Sequence, residues 1–338
     1  MGEKHWPGMR WIGIDEAGYG PNLGPLVMTA VIAEGSQPTG PSGAAEAECP
    51  DLWSDLAHGV ARAGSDTNRL WVDDSKVILR GRKGRDMLEA TTIALVHASS
   101  GRLPTDLVHL LDLLGAGEAR ETEIELWLPQ PPAGRGWPGE PAAALIRRAL
   151  NGQFLQPPSG TWRFAALRSV VLGPKRFNEL LGTYGSKARV HFEAFRELLG
   201  MAWQLSLDGK PTSVWSDKHG GRHFYMGPLS EAFPDIWIER GPEGPLRSWY
   251  HLKSTGRSLT LSLTPRADQS NGLVALASIV SKTVREFWMD CFNEYWTSRI
   301  EGLRPTAGYP VDADRFRRAI EPFALAAELD PDLWWRRK

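Results

Sequence analysis

Apolar residues follow two rhythms along this chain, short continuous runs and helical spacing. Trp11 to Asp15 (WIGID) and Leu26 to Ala33 (LVMTAVIA) are apolar runs of strand length with β-branched residues, and the Gly/Pro/Asn segment between them predicts a hairpin turn. Further strands are predicted in ALRSVVLG, in Thr212 to Asp217 (TSVWSD), in Asp235 to Glu239 and in Ser258 to Leu263. Helical spacing appears in Arg85 to Ala98 through Met87, Leu88, Thr91, Leu95 and Val96. It returns near 188–206, where Phe195, Leu198, Leu199, Ala202 and Leu205 share a face, and two closing helices are predicted near 273–298 and 312–329. Residues 35–50, rich in Gly, Pro, Ala and Ser, read as a surface segment of an insertion near 35–68, and a Pro/Gly-punctuated stretch near 103–165 as a larger insertion with some helix of its own. Strands interleaved with helices and no internal repeat predict one α/β domain over 1–338, with a C-terminal helix and tail at 312–338.

Composition narrows the class. Hydrophobic residues make up 42% and charged residues 23%, ordinary for a chain with a sizeable core. No apolar run approaches the roughly 20 residues of a membrane span, and the N-terminus lacks an apolar signal core, so a cytoplasmic setting without membrane contact is expected. Cys49 and Cys291 cannot form a disulfide framework, and no Cys/His spacing suits zinc. With a formal net charge of −1, binding to a polyanion has to come from local basic patches. Arg80-Gly81-Arg82-Lys83-Gly84-Arg85 is one such patch, while Trp334-Trp335-Arg336-Arg337-Lys338 reads as a frayed terminus. The 15 tryptophans are expected in packing more than in base stacking.

Candidate chemistry lies in acids at element ends. Asp15 and Glu16 close the first strand before a Gly-rich turn, and Asp217 closes another. Glu286 lies on the helix beginning near 273, sharing a polar face with Ser278, Lys282 and Arg285. Carboxylates at strand ends beside a helix carboxylate offer hard oxygen ligands of the kind Mg²⁺ or Mn²⁺ prefers. Two such ions roughly 4 Å apart would stabilise both the attacking and the leaving oxygen in phosphodiester cleavage.

Five blocks, in order, resemble ribonuclease HII. They are GIDEAGYGPNLGPLVMTA (Gly13 to Ala30), Asp74-Ser75-Lys76, VLGPKRFNELL (Val171 to Leu181) followed by a helix and TSVWSD, the helix Ala277 to Glu286 (ASIVSKTVRE), and Gly308-Tyr309-Pro310. The resemblance implies an α/β ribonuclease H-like fold, a central mixed β-sheet flanked by helices. It implies an endonuclease that hydrolyses the RNA strand of RNA–DNA hybrids to 5′-phosphate and 3′-hydroxyl products, with two Mg²⁺ or Mn²⁺ ions. Asp15, Glu16, Asp217 and Glu286 would be the catalytic metal ligands. Backbone amides of Gly18, Tyr19 and Gly20 would lie along the minor groove, where the 2′-hydroxyl separates RNA from DNA. Ser75 and Lys76 would hold a backbone phosphate, Tyr309 would pack on a sugar, and Lys282 would bind phosphate or pair with the acids.

Departures from the family pattern shape what is expected. Tyr19 stands where the family has Arg, and Tyr cannot replace a bidentate guanidinium contact. Glu286 stands where ribonuclease HII has Asp, a feature shared, like the missing Arg, with the type 3 enzymes. A preference for runs of RNA over a single embedded ribonucleotide is therefore expected. The loop Lys218-His219-Gly220-Gly221-Arg222 replaces a simpler Asp-Gly turn, and His219 is a candidate for proton transfer. Other readings are a nuclease of this fold acting on branched DNA or other structured nucleic acid, and a non-catalytic nucleic-acid-binding homologue.

Overall fold

The structure, a computed structural model, describes residues 8–36, 49–116, 126–127 and 137–337. Most of the Gly/Pro-rich parts of the two insertions, at 37–48 and within 117–136, lie outside the described residues.

The predicted hairpin opens the fold. β1 (Gly8–Ala17) and β2 (Leu26–Ser36) pair antiparallel, with Asp15 opposite Thr29. Two short strands, β3 (Val60–Ala61) and β4 (Leu70–Trp71), form a separate parallel pair. β5 (Trp162–Leu172), β6 (Thr212–Asp217), β7 (Trp237–Glu243), β8 (Ser248–Ser254) and β9 (Arg257–Thr264) complete a seven-stranded sheet in the order β5-β2-β1-β6-β9-β8-β7. β5, β2 and β1 run as an antiparallel meander, β1, β6 and β9 are parallel neighbours, and β8 and β7 extend the far edge antiparallel. The sheet is therefore mixed.

The helices in chain order are α1 (Leu52–Asp55), α2 (Ser75–Arg80), α3 (Gly84–Ser100), α4 (Leu107–Leu113), α5 (Glu140–Asn151), α6 (Pro174–Tyr184), α7 (Lys187–Leu205), α8 (Met226–Ala232), α9 (Ala267–Ser270), α10 (Gly272–Thr297) and α11 (Pro310–Ala326). They cover both faces of the sheet, and strand periodicity shows how. Successive residues of β1 point to opposite faces. Met9 and Trp11 join the apolar cluster with Leu276, Ile279 and Val280 of α10, while Ile12 and Ile14 join Phe195, Leu198 and Leu199 of α7. A strand covered on both faces reads as a continuous apolar run, which is why WIGI lacks alternation. α10 starts where the Asn271 side chain accepts from the amides of Leu273 and Val274 at 3.0 and 3.1 Å.

In the described part of the first insertion, Leu52, Leu56, Val60 and Ala61 are buried in the α10-side core. After β5, Pro174 enters α6 where a missing N–H costs nothing, and Gly185 ends it in the left-handed conformation. The tail is not frayed, since Trp334 is 2% exposed and Arg336 is 0% exposed. Among the described residues no helix is long and apolar enough to cross a membrane.

Candidate active site

The period of two in β1 sends Asp15 and Glu16 to different neighbours. Asp15 faces α10, is 7% exposed, and takes a hydrogen bond from Ser278. Glu16 faces α7, where its carboxylate lies 3.4 Å from Nε2 of buried His191, an ion-pair distance without good hydrogen-bond alignment. Asp217 ends β6, one residue beyond the pairing of Ile14 with Ser216, so it emerges beside Asp15. Its Oδ1 accepts from the backbone amides of Lys218 and Arg266, both at 2.8 Å. Arg266, in the left-handed region at φ 56°, turns the chain out of β9 into the short α9, which carries Asp268.

Electrostatics shows which acids meet. Burial pushes the Asp15 carboxyl well above the usual range, and Glu16, Asp268 and Asp217 push it the same way. Asp217 is raised by burial and by Glu16, and Asp268 is raised to about 6 by burial together with Asp74 and Asp217. Burial would raise Glu16 too, but His191 and Lys76 hold it below its ordinary value. Asp15, Glu16, Asp217 and Asp268 thus form one cluster at the carboxyl ends of β1, β6 and β9.

Glu286, predicted as the fourth acid, stands apart from this cluster. It follows Ser278, the contact of Asp15, by eight residues, about 12 Å along the axis of α10. There it is held by Lys282 at 2.7 Å, Arg285 at 3.5 Å and Arg85 at 3.9 Å. Against the desolvation of burial, these cations keep its pKa low. Lys282 is therefore an internal charge partner. Asp268, absent from the sequence-based set, takes the fourth place; the reasoning that picked acids at the ends of two strands extends to it, four residues past the end of β9.

The other predicted residues divide. Lys76 is exposed on the first turn of α2, whose start Asp74 caps by accepting from the Lys76 amide at 2.8 Å. Ser75 is buried, its hydroxyl engaged with that of Ser278 at 2.9 Å, so it supports Asp15's partner and is turned from a phosphate. Gly18 has φ +92°, and a Cβ there would lie 2.3 Å from the carbonyl oxygen of Pro25, so no other residue fits without strain. Tyr19 packs edge-on against His191 at 5.0 Å, while Gly20 is exposed. Tyr309, 50% exposed, precedes α11 with the Arg285 guanidinium 5.9 Å from its ring centre. His219 is 8% exposed, lies 4.5 Å from both His191 and Phe195, and neither ring nitrogen has a hydrogen-bond partner. Burial holds its pKa well below 6.5, and both ring nitrogens are shielded as the side chain stands.

Sequence reasoning also passed over His191, which is buried. Ser281 on α10 donates to the Asp15 carbonyl at 3.1 Å and to Thr29 at 2.8 Å, and Thr29 meets Ser169 at 2.8 Å, a line of hydroxyls that locks β1, β2 and β5 to the helix. As the side chains are oriented here, no three His, Cys, Asp or Glu groups among the described residues enclose a metal position.

No protein-family model matches the chain, and no curated protein does. Solved structures align along most of it at low identity. The ribonuclease HII of the PCNA:RNase HII complex from Archaeoglobus fulgidus is 14% identical, with 98% of this chain and 95% of that one covered and a TM-score of 0.41. Ribonuclease H2 from Pyrococcus horikoshii OT3 is 14% identical, with 96% and 92% covered and a TM-score of 0.38. Bst-RNase HIII in complex with Mn²⁺ is 13% identical, with 97% of this chain but 66% of that one covered and a TM-score of 0.41. The chain has an α/β ribonuclease H-like fold; strand order and direction, rather than these superpositions, carry that statement.

Proposed function

We propose that this chain is a divalent-metal-dependent endonuclease that hydrolyses the RNA strand of RNA–DNA hybrids, leaving 5′-phosphate and 3′-hydroxyl ends. One observation carries the reading: four carboxylates from three elements, β1, β6 and α9, converge at the carboxyl ends of three adjacent parallel strands, and Asp15 is pressed by the negative charge of the other three.

The residues suit Mg²⁺ or Mn²⁺ in kind. They are hard oxygen donors without Cys, and like-charge repulsion in a buried set is what a divalent cation relieves. Asp15, Glu16, Asp217 and Asp268 would hold the ions, with their side chains rotating to close on them. Bound ions would polarise the scissile phosphate and lower the barrier for attack by water. Glu16 is favoured as a charged ligand by His191 and Lys76, whereas burial and the other acids oppose the charge of Asp15, which a bound cation would offset. Lys76 stands beside the cluster to receive a backbone phosphate, and the Gly18–Gly20 loop at the end of β1 faces the duplex.

The test is cleavage of an RNA–DNA hybrid with Mg²⁺ and with Mn²⁺ by the wild type, Asp15→Asn, Asp268→Asn and Glu286→Gln. The first two variants are expected to lose at least 10³-fold in rate, and Glu286→Gln less than tenfold. A reversed order of Asp268 and Glu286 would restore the set first inferred from the sequence, and no cleavage by the wild type in either ion would end the enzyme reading. Because Tyr19 turns its ring onto His191 and supplies no guanidinium, a fully hybrid duplex is expected to be cut faster than DNA carrying one ribonucleotide. Faster cutting of the latter refutes that preference.

A further inference from the structure

The segment after α11 returns to the glycine loop. Asn22 and Asn178, both buried, hold its backbone: the Arg336 amide donates to the Asn22 carbonyl at 2.8 Å, the Asn22 side chain donates to the Arg336 carbonyl at 3.2 Å, and Asn178 bridges the Trp335 carbonyl and the Arg337 amide, each at 2.8 Å. The Arg336 side chain passes over the Phe177 ring, 3.9 Å from its centre, and ends beneath the loop. One terminal nitrogen donates to the Gly18 and Gly24 carbonyls, and the other to the Tyr19 carbonyl at 3.0 Å. Among the described residues Arg336 forms no ion pair with a carboxylate, and its guanidinium is held by these carbonyls and by the Phe177 ring. Burial and the neighbouring Arg285 lower its pKa to about 9, leaving it charged at pH 7. Arg285 adds a second buried guanidinium, donating to the carbonyls of Leu23 and Ala307.

A trans peptide sets its C=O and the following N–H in opposite directions. With the Gly18 and Tyr19 carbonyls drawn inward to Arg336, the amides of Tyr19 and Gly20 are turned away from it. Successive outward amides over a buried positive charge form a seat for an anion or for a hydroxyl oxygen. We propose that Arg336 is a positioning residue for substrate: it fixes the Gly18–Gly20 peptides so that their amides face the nucleic-acid backbone, and it sets a guanidinium that pairs with no carboxylate beneath that loop. The inference rests on the nuclease reading for the identity of the ligand, and on this chain's own geometry for the orientation of the loop. It also gives the buried cation a reason, since a guanidinium is costly to bury where a packed apolar side chain would serve stability as well.

The experiment compares wild type, Arg336→Lys and Arg336→Met in three measurements. The first is affinity for an RNA–DNA hybrid in EDTA, the second is KM and kcat in Mg²⁺, and the third is hydrogen exchange of the peptide containing residues 18–24 in the free protein. Arg336→Met is expected to weaken metal-free binding and raise KM about tenfold while kcat falls less than threefold. Arg336→Lys should fall between, since an ammonium keeps the charge but not the fork. Exchange at residues 18–24 should quicken in both. A folded Arg336→Met with unchanged affinity, KM and exchange overturns the proposal; if that variant does not fold, Arg336→Lys with unchanged values does the same. A wild type that neither binds nor cuts hybrid overturns the nuclease reading instead, and loop positioning is then decided by exchange alone.

Discussion

Asp15 and Glu16 are adjacent in sequence yet pushed in opposite directions. Burial among other acids raises the Asp15 carboxyl, whereas His191 and Lys76 hold that of Glu16 below its ordinary value. A cluster of this kind destabilises the metal-free protein, and removing one charge should relieve it. Asp268→Asn is therefore expected to raise the metal-free melting temperature by a few degrees while abolishing cleavage, and a lower melting temperature would show that Asp268 is stabilising where it stands. Its pH dependence has a definite sign. The Asp268 carboxyl is pushed up to about 6 in the fold from its ordinary 3.8, so between those values the folded state binds more protons than the unfolded chain. Stability from this group is present below pH 4 and is lost as pH rises through 6, by about 1 kcal/mol once solvent screening of a half-buried group is allowed for. Acids held low, such as Glu34 and Asp208 at Arg10, act in the opposite direction, and their contribution is the same in the wild type and in Asp268→Asn. Metal-free unfolding followed from pH 4.5 to 6.5 should show that decline in the wild type and a flatter profile in Asp268→Asn. Such acid-to-acid contacts were only partly legible in the sequence. Strand-end acids announced Asp15, Glu16 and Asp217, but His191 meets Glu16 across a long stretch of chain that no local pattern encodes.

At the scale of elements, the site depends on how closely β1 lies against α10. Gly13 makes that approach possible: a Cβ there would sit 2.3 Å from the Leu273 carbonyl carbon and 2.4 Å from the Val274 nitrogen. Both are backbone atoms at the start of a long buried helix, so neither can give way as a side-chain tip would. Gly13→Ala is expected to cost roughly 3 kcal/mol. Asp15, two residues on along the same face, should lose register with Ser278, and cleavage should drop further than stability alone explains. Denaturant unfolding together with turnover of the folded fraction checks both, and an alanine variant of full stability would mean that strand and helix separate freely. The same element shows where pattern reading stopped. The spacing of α10 correctly predicted its span and its polar stripe of Ser278, Lys282 and Glu286, yet a shared stripe fixes angle about the axis and leaves distance along it open, which is how Glu286 displaced Asp268. β8 (SWYHLKS) was not predicted, since its alternating residues mix aromatic and charged side chains near a sheet edge.

For the whole molecule, a net charge of −1 leaves no overall attraction to a polyanion, and the site itself is acidic. Approach of a duplex must be carried by cations around the cluster. Lys76, Arg80, Arg82 and Lys83 are exposed along α2 and its turn into α3, and among the described residues they form no ion pairs, whereas Arg85 is committed to Asp290 and Glu286. α2 is anchored close by through the Ser75–Ser278 contact, which fixes this basic edge relative to Asp15. The far flank carries the basic loop after β6, where Lys218 instead bonds the Ser248 hydroxyl at 2.7 Å. The α2 edge is thus the stronger candidate for the duplex backbone. Each phosphate neutralised by the protein releases counterions and contributes about 0.7–0.9 to the slope of log affinity against log salt. The triple variant Arg80→Ala, Arg82→Ala, Lys83→Ala is expected to lower the slope for metal-free hybrid binding by about 2, while kcat at saturating hybrid stays within threefold of wild type. An unchanged slope would place the duplex on another face of the molecule, and a collapse of kcat with an unchanged slope would mean that these residues act on the metal site rather than on the backbone of the substrate.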